Sequence, residues 1–252
     1  MEIEHRFLFF PESHIYFTPD DFGVEYEDIY YTTEDGVSIN AWFVHTADDS
    51  PVLIWCHGNA GNISHRIENL LLLLRWGISV FIFDYRGYGR SGGEITEEGL
   101  YLDAIGAYKY LKDEKKIPPS RIVPFGRSMG GPVAVDLAAR ENFPSLVLES
   151  TFTNLADAVK IIYPEMGMDN LLSMKFDAAE KIRGIKSPIL FIHGDMDDII
   201  DYSLGRKLFE VANEPKTFYT IKGAMHNDTY EVGGEEYFKT FVEFVMKYAK
   251  EE

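Results

Sequence analysis

The sequence predicts an α/β protein built on a doubly wound, mostly parallel sheet with helices on both faces. Three observations predict it. Short β-branched or aromatic runs alternate with longer helical patterns along the chain. The middle runs, such as Val52-Leu53-Ile54-Trp55 and Val80-Phe81-Ile82-Phe83, are apolar throughout, as strands covered on both faces must be. With 252 residues, 46% of them hydrophobic, the chain can bury one large core. No repeat or low-complexity linker divides it, so residues 1–252 read as a single domain.

The elements follow in order. Glu25 to Thr32 and Val37 to Val44 alternate around Glu34-Asp35-Gly36, a hairpin signal. Val52 to Cys56 is the third strand, followed by a helical pattern over Ser64 to Trp76. Next come strand Ile78 to Phe83, helix Thr96 to Lys112, strand Arg121 to Phe125, helix Met129 to Arg140 and strand Leu146 to Glu149. Strand Ile189 to His193, helix Ser203 to Val211, strand Thr217 to Ile221 and helix Glu235 to Lys250 complete the series. The long interval after Glu149 breaks the rhythm with mixed character. Residues 152–187 read as a small cap- or lid-like insertion after the sixth strand, beside the place where such sheets hold ligands.

Composition excludes several classes. Lys and Arg number 24 against 41 Asp and Glu, a formal net charge of −17 spread along the chain. Such a surface repels phosphate backbones and anionic headgroups, so nucleic acid is not an expected partner. The only cysteine, Cys56, excludes an internal disulfide and suits a reducing compartment. It ends an apolar strand, where a buried inert thiol is expected rather than a nucleophile. No apolar stretch approaches the roughly 20 residues of a membrane span, and Phe7 to Phe10 is short for a signal sequence. The expectation is a cytoplasmic protein without membrane insertion.

The strongest chemical signal is Gly126-Arg127-Ser128-Met129-Gly130, followed by Gly131, between a strand and an apolar helical pattern. A tight strand-to-helix turn strains its middle residue and demands small neighbours two positions away. It projects the Ser128 hydroxyl out of the sheet and sets the Met129 N–H at a helix N-terminus, where a developing anion is favoured. A serine hydroxyl needs a base. Of the seven histidines, His226 follows the last strand in Lys222-Gly223-Ala224-Met225-His226, at an end where loops converge on the site. A carboxylate must then orient the imidazole. His193-Gly194-Asp195-Met196-Asp197-Asp198 supplies three, of which Asp197 is the first choice and Asp198 the second. A calcium loop begun at Asp195 fails, because Ile200 and Arg206 stand where glycine and glutamate are needed. His57-Gly58-Asn59-Ala60-Gly61-Asn62 is a glycine-bearing loop after the third strand, and the second oxyanion donor is assigned to the Asn59 N–H. His57 is expected to brace that loop rather than titrate.

With Asp84-Tyr85-Arg86-Gly87-Tyr88-Gly89-Arg90-Ser91 added to these motifs, the chain resembles the α/β-hydrolase superfamily from about Phe7 onward. Within it, the chain is similar to a compact branch containing uncharacterised bacterial proteins and eukaryotic protein depalmitoylases. The resemblance implies an eight-stranded sheet whose second strand is antiparallel. It supports Ser128 as nucleophile, Asp197 as acid and His226 as base. The N-terminal cysteine cluster of those depalmitoylases is missing, so their substrate is not implied.

The resulting expectation is a serine hydrolase that cleaves a carboxylic ester or thioester through an acyl-enzyme on Ser128, with no metal or organic cofactor. Phe152, Tyr163, Met166 and Met168 in the insertion are expected to line a pocket for an apolar acyl group. Two alternatives use the same residues: an amidase or peptidase with this triad, and a non-catalytic binding protein on the hydrolase fold. A dehalogenase-type reaction is disfavoured, because such enzymes place aspartate where Ser128 stands.

Overall fold

Eight strands form one sheet: β1 (Glu27–Thr32), β2 (Ser38–Val44), β3 (Val52–Cys56), β4 (Ser79–Phe83), β5 (Ile122–Arg127), β6 (Leu146–Glu149), β7 (Ile189–Gly194) and β8 (Lys216–Ile221). They lie in the order β1-β2-β4-β3-β5-β6-β7-β8 in this computed structural model, which describes residues 9–164, 167 and 172–249. β2 is antiparallel to both neighbours and the pairs from β4–β3 to β7–β8 are parallel. The implied topology is therefore the observed one.

The apolar runs explain why the sheet is covered twice. β3 sends Val52, Ile54 and Cys56 into one core and Leu53 and Trp55 into the other, the two-residue alternation of a pleated strand. β4 repeats this with Phe81 and Phe83 against Val80 and Ile82. Every residue of β3 to β7 is buried, whereas edge strands β1 and β8 keep partly exposed positions. Helices α1 (Ile67–Arg75), α2 (Glu97–Lys109) and α3 (Gly130–Arg140) follow β3, β4 and β5. After β6 come α4 (Leu155–Ile162) and α5 (Ala178–Lys181), then α6 (Tyr202–Val211) after β7 and α7 (Thr229–Tyr248) after β8. Leu70 and Leu73 of α1 and Phe241 and Val245 of α7 cover one face; Leu100 of α2, Val133 of α3 and Leu208 of α6 cover the other. Each such fully buried side chain contributes about 1.5–3 kcal/mol.

Three helices differ from the periodic reading. Before α1 a 3₁₀ turn, Ile63–Arg66, is capped by the Asn62 side chain. The last helical run, Thr229–Tyr248, is two helical pieces meeting at a kink: Gly234 (φ 53°, ψ −140°) is non-helical, so the expected helix from Glu235 follows it and a short piece from Thr229, absent from the periodic reading, precedes it. In the 152–187 segment, α4 starts where the Asn154 side chain accepts from Asp157 N at 2.8 Å, a cap that mixed composition conceals.

Candidate active site

The elbow is built by backbone strain held from both sides. Ser128 sits between β5 and α3 at φ 54°, a left-handed conformation rare for a residue with a Cβ. Its N–H donates to Glu149 O at the end of β6, and its carbonyl accepts from Gly131 N and the Thr151 hydroxyl, all at 2.9 Å. The turn is close enough that a Cβ on Gly130 would fall 1.9 Å from Cys56 O, and one on Gly131 1.9 Å from Thr151 Oγ1. Glycine at these positions answers to packing against β3 and the β6 loop. Met129 stands at the N-cap of α3 with its amide at the positive end of the helix.

The acid side is more tightly bound than spacing alone suggests. His226 Nδ1 lies 3.0 and 2.9 Å from the two Asp197 carboxylate oxygens. Ile199 and Ile200 N–H donate to Asp197 Oδ1 at 3.0 and 2.8 Å, and His193 Nε2 stands 3.2 Å from Oδ2. Burial alone would raise the Asp197 pKa, but the hydrogen bonds from His193 and His226 outweigh it and hold the carboxyl well below the usual range. The neighbouring acids have other tasks. Asp198 accepts the His226 backbone N–H at 3.2 Å, and Asp195 joins the two loops through Gly223 N (2.7 Å) and Lys222 Nζ (2.9 Å). The runner-up thus holds the histidine's backbone, and Asp197 its ring.

A second buried group clasps the same loop. Glu149, fully buried at the end of β6, accepts from Arg127 Nε (3.2 Å), the Thr229 hydroxyl (2.5 Å) and the Tyr237 hydroxyl (2.7 Å). Arg127 then donates through Nη2 to His226 O at 2.5 Å. This clasp was not singled out from sequence. Its only trace is a charged residue ending each of two apolar strands.

The loop after β3 is buttressed by the Asp84–Ser91 motif. The Tyr85 hydroxyl donates to His57 O at 3.0 Å, and the Tyr88 hydroxyl to Asn59 Oδ1 at 2.9 Å. Asp84 Oδ1 accepts from Ile63 N at 2.9 Å, and burial pushes its pKa up to about 7. His57 is fully buried and donates Nδ1–H to Gly58 O at 2.6 Å; burial, then the Arg66 charge, brings its pKa down to about 3. It is a neutral brace. Burial raises the Cys56 thiol, which is an unreactive core group.

These elements meet at one cavity of about 280 Å³, which Ser128, Met129, Asn59 and His226 line together. The hydrogen bonds that hold the constellation lie on its His226–Asp197 side. Phe152 is part of the cavity wall, whereas Tyr163 is half-buried against the core and lies outside that lining. Met166 and Met168 fall outside the described residues. The wall is largely α4, whose Leu155, Ala158, Val159 and Ile162 stand at the i, i+3, i+4, i+7 spacing of one helix face. The mixed composition of residues 152–187 conceals that face in the sequence. Phe9 and Phe10 also line the cavity. The N-terminal segment reaches it by pairing with the loop after β3, through Gly61 N to Phe10 O (3.0 Å) and Glu12 N to Gly61 O (3.2 Å).

Comparison with known proteins agrees with this architecture. A family model described as the alpha/beta hydrolase fold matches residues 51–178. An uncharacterized protein of Mycobacterium tuberculosis is 37% identical over 227 residues, covering 89% of this chain and 81% of that one. The alpha/beta hydrolase domain-containing protein WAV2 of Arabidopsis thaliana is 34% identical over 255 residues, covering 93% and 83%. Among solved structures, the Pyrococcus furiosus esterase Pf2001 superposes with a TM-score of 0.82 over 96% of this chain and 98% of its own, at 24% identity. Among the described residues, no helix is long and apolar enough to cross a membrane.

Proposed function

The chain belongs to the α/β-hydrolase fold family, and from that premise we propose that it is a serine hydrolase of carboxylic esters or thioesters. Ser128 attacks the acyl carbon while His226 Nε2 takes the hydroxyl proton, and Asp197 orients the ring and stabilises its cationic form. The Met129 and Asn59 N–H groups stabilise the tetrahedral oxyanion. His226 then returns the proton to the leaving alcohol or thiol, and on the next half-cycle activates the water that cleaves the acyl-enzyme. The observation that carries this reading is a nucleophile elbow and a buried carboxylate–imidazole pair converging on one cavity. The apolar wall of α4 supports an apolar acyl group.

Intact-protein mass spectrometry after treatment with a fluorophosphonate probe tests it. One adduct is expected on the wild-type chain and none on Ser128→Ala. A folded wild-type sample that takes up no probe, and hydrolyses no ester across a range of acyl lengths, would overturn the proposal.

A further inference from the structure

The apolar cavity beside Ser128 has a direction. Of its described lining residues, Phe10, Ile162 and Ile199 are 54%, 38% and 42% exposed and mark the mouth. Phe152 and Phe176, 3% and 1% exposed, mark the closed end. α4 runs between the two. Its last residue, Ile162, is at the mouth, and its first, Leu155, donates its N–H to Lys175 O at 2.8 Å, which brings Phe176 beside the closed end. From Leu155 to Ile162 is about 10 Å of helix, and an extended chain advances about 1.2 Å per bond, so this wall has room for about eight bonds of an acyl chain.

Phe176 is held at that end by unusual means. Its φ of 45° is left-handed, a conformation rare for a bulky residue with a Cβ. Packing alone needs no such strain, which collects where the surroundings must aim a side chain. What holds it is Glu97, 79 positions away in the first turn of α2. Glu97 Oε1 accepts the Phe176 N–H at 3.0 Å, and Oε2 accepts the Lys175 N–H at 2.6 Å. The same carboxylate accepts the Tyr101 hydroxyl at 2.7 Å, and the Tyr101 ring meets the Phe176 ring edge to face with centroids 6.0 Å apart. Phe9 flanks Phe176 at 6.4 Å, and Ala179 N to Thr153 O at 2.9 Å ties the segment to the start of α4. One carboxylate thus fixes both the backbone and a flanking ring of a single cavity residue.

We propose that Phe176 is the stop that limits acyl-chain length and that Glu97 is the positioning residue that holds it, so that the substrate is an ester or thioester of a medium-chain acid of up to about eight carbons. This rests on the serine hydrolase reading and adds the acyl class to it. Glu97 touches neither substrate nor triad in this scheme; it acts through the placement of Phe176.

The 4-nitrophenyl esters of octanoate and dodecanoate, used below their aggregation limits and normalised to hydroxide hydrolysis, test the idea. In the wild type kcat/KM is expected to favour octanoate by about 10-fold or more. Phe176→Ala should raise the dodecanoate-to-octanoate ratio about 15-fold, whatever its absolute rates, since each newly housed methylene is worth about 4-fold and the ring leaves room for about two. Phe176→Leu, which opens less space, should raise it about 4-fold and stands in if the alanine variant does not fold. Glu97→Ala should also raise the ratio, by about 3-fold or more, and Glu97→Gln, which still accepts from one N–H, by less. A merely structural role for Glu97 would slow both esters alike and leave the ratio where it was. A wild type that hydrolyses dodecanoate as well as octanoate, or a ratio unchanged in every folded variant at Phe176, would overturn the proposal. A ratio that moves at Phe176 but not in Glu97→Ala would overturn the positioning role. If neither ester is hydrolysed, the hydrolase reading has failed, and calorimetric binding of octanoate and dodecanoate decides the inference. Dodecanoate binding that Phe176→Ala tightens relative to octanoate supports it; an unchanged ratio, or no binding of either, refutes it.

Discussion

Asp197→Asn is expected to lower kcat by about 10,000-fold with little change in fold, because the surrounding hydrogen bonds force the amide into the wrong orientation. Ile199 and Ile200 N–H both donate to Oδ1, at 3.0 and 2.8 Å, so the asparagine oxygen is anchored there. The amide nitrogen then replaces Oδ2, which lies 2.9 Å from His226 Nδ1. An N–H donor facing Nδ1 favours the tautomer with its proton on Nε2, and that nitrogen can no longer accept the Ser128 proton. His193 adds to the conflict: its Nε2 lies 2.9 Å from Ile200 O and so carries a proton, which would face the new amide nitrogen. Steady-state kinetics on the most reactive ester, with circular dichroism to verify folding, measures this. A loss below about 10-fold would mean that Asp197 does not orient the base. The wild-type carboxyl also has a defined pH signature. Its folded pKa is depressed, so its contribution to stability is complete above the unfolded value of about 3.9 and is lost only as pH falls through the lower folded value.

The second large effect concerns stability. Glu149→Leu is expected to cost about 3–5 kcal/mol in urea denaturation, since it strands the buried Arg127 guanidinium and two buried hydroxyls. That is a large share of the roughly 5–15 kcal/mol by which a domain is usually stable. Adding Arg127→Met should recover part of the loss, because replacing both charges with apolar groups removes the unpaired ion. The double variant should still be slower than wild type, as His226 O has lost its donor. A Glu149→Leu cost below about 1 kcal/mol would fit an exposed pair and would exclude this clasp.

The parallel sheet, its covering helices and the glycine-flanked serine were legible in the residues because each is a local pattern. Strand alternation, helical period and a steric demand for small neighbours act within a few positions. The same locality explains what was misread. Gly234 cuts off a short helical piece from Thr229 that is too brief to show a period, and a single amphipathic face, Leu155, Ala158, Val159 and Ile162, was lost within a mixed segment.

Partners distant in sequence are another matter. Asp195, Asp197 and Asp198 crowd one turn, and no periodicity distinguishes the carboxylate that meets the imidazole from the one that meets its backbone; the crossing of the β7 and β8 loops does that. Glu149 and Tyr237 are 88 positions apart and Arg127 and His226 are 99 apart, so only close packing of the strand ends brings them together. The cavity that Ser128 and His226 line is likewise a product of the fold, bounded by the N-terminal segment, the loop after β3 and α4. Local sequence could specify the chemistry carried by each strand end. The direction of each side chain, and which charges remain unpaired, depended on contacts that exist only once the sheet has formed.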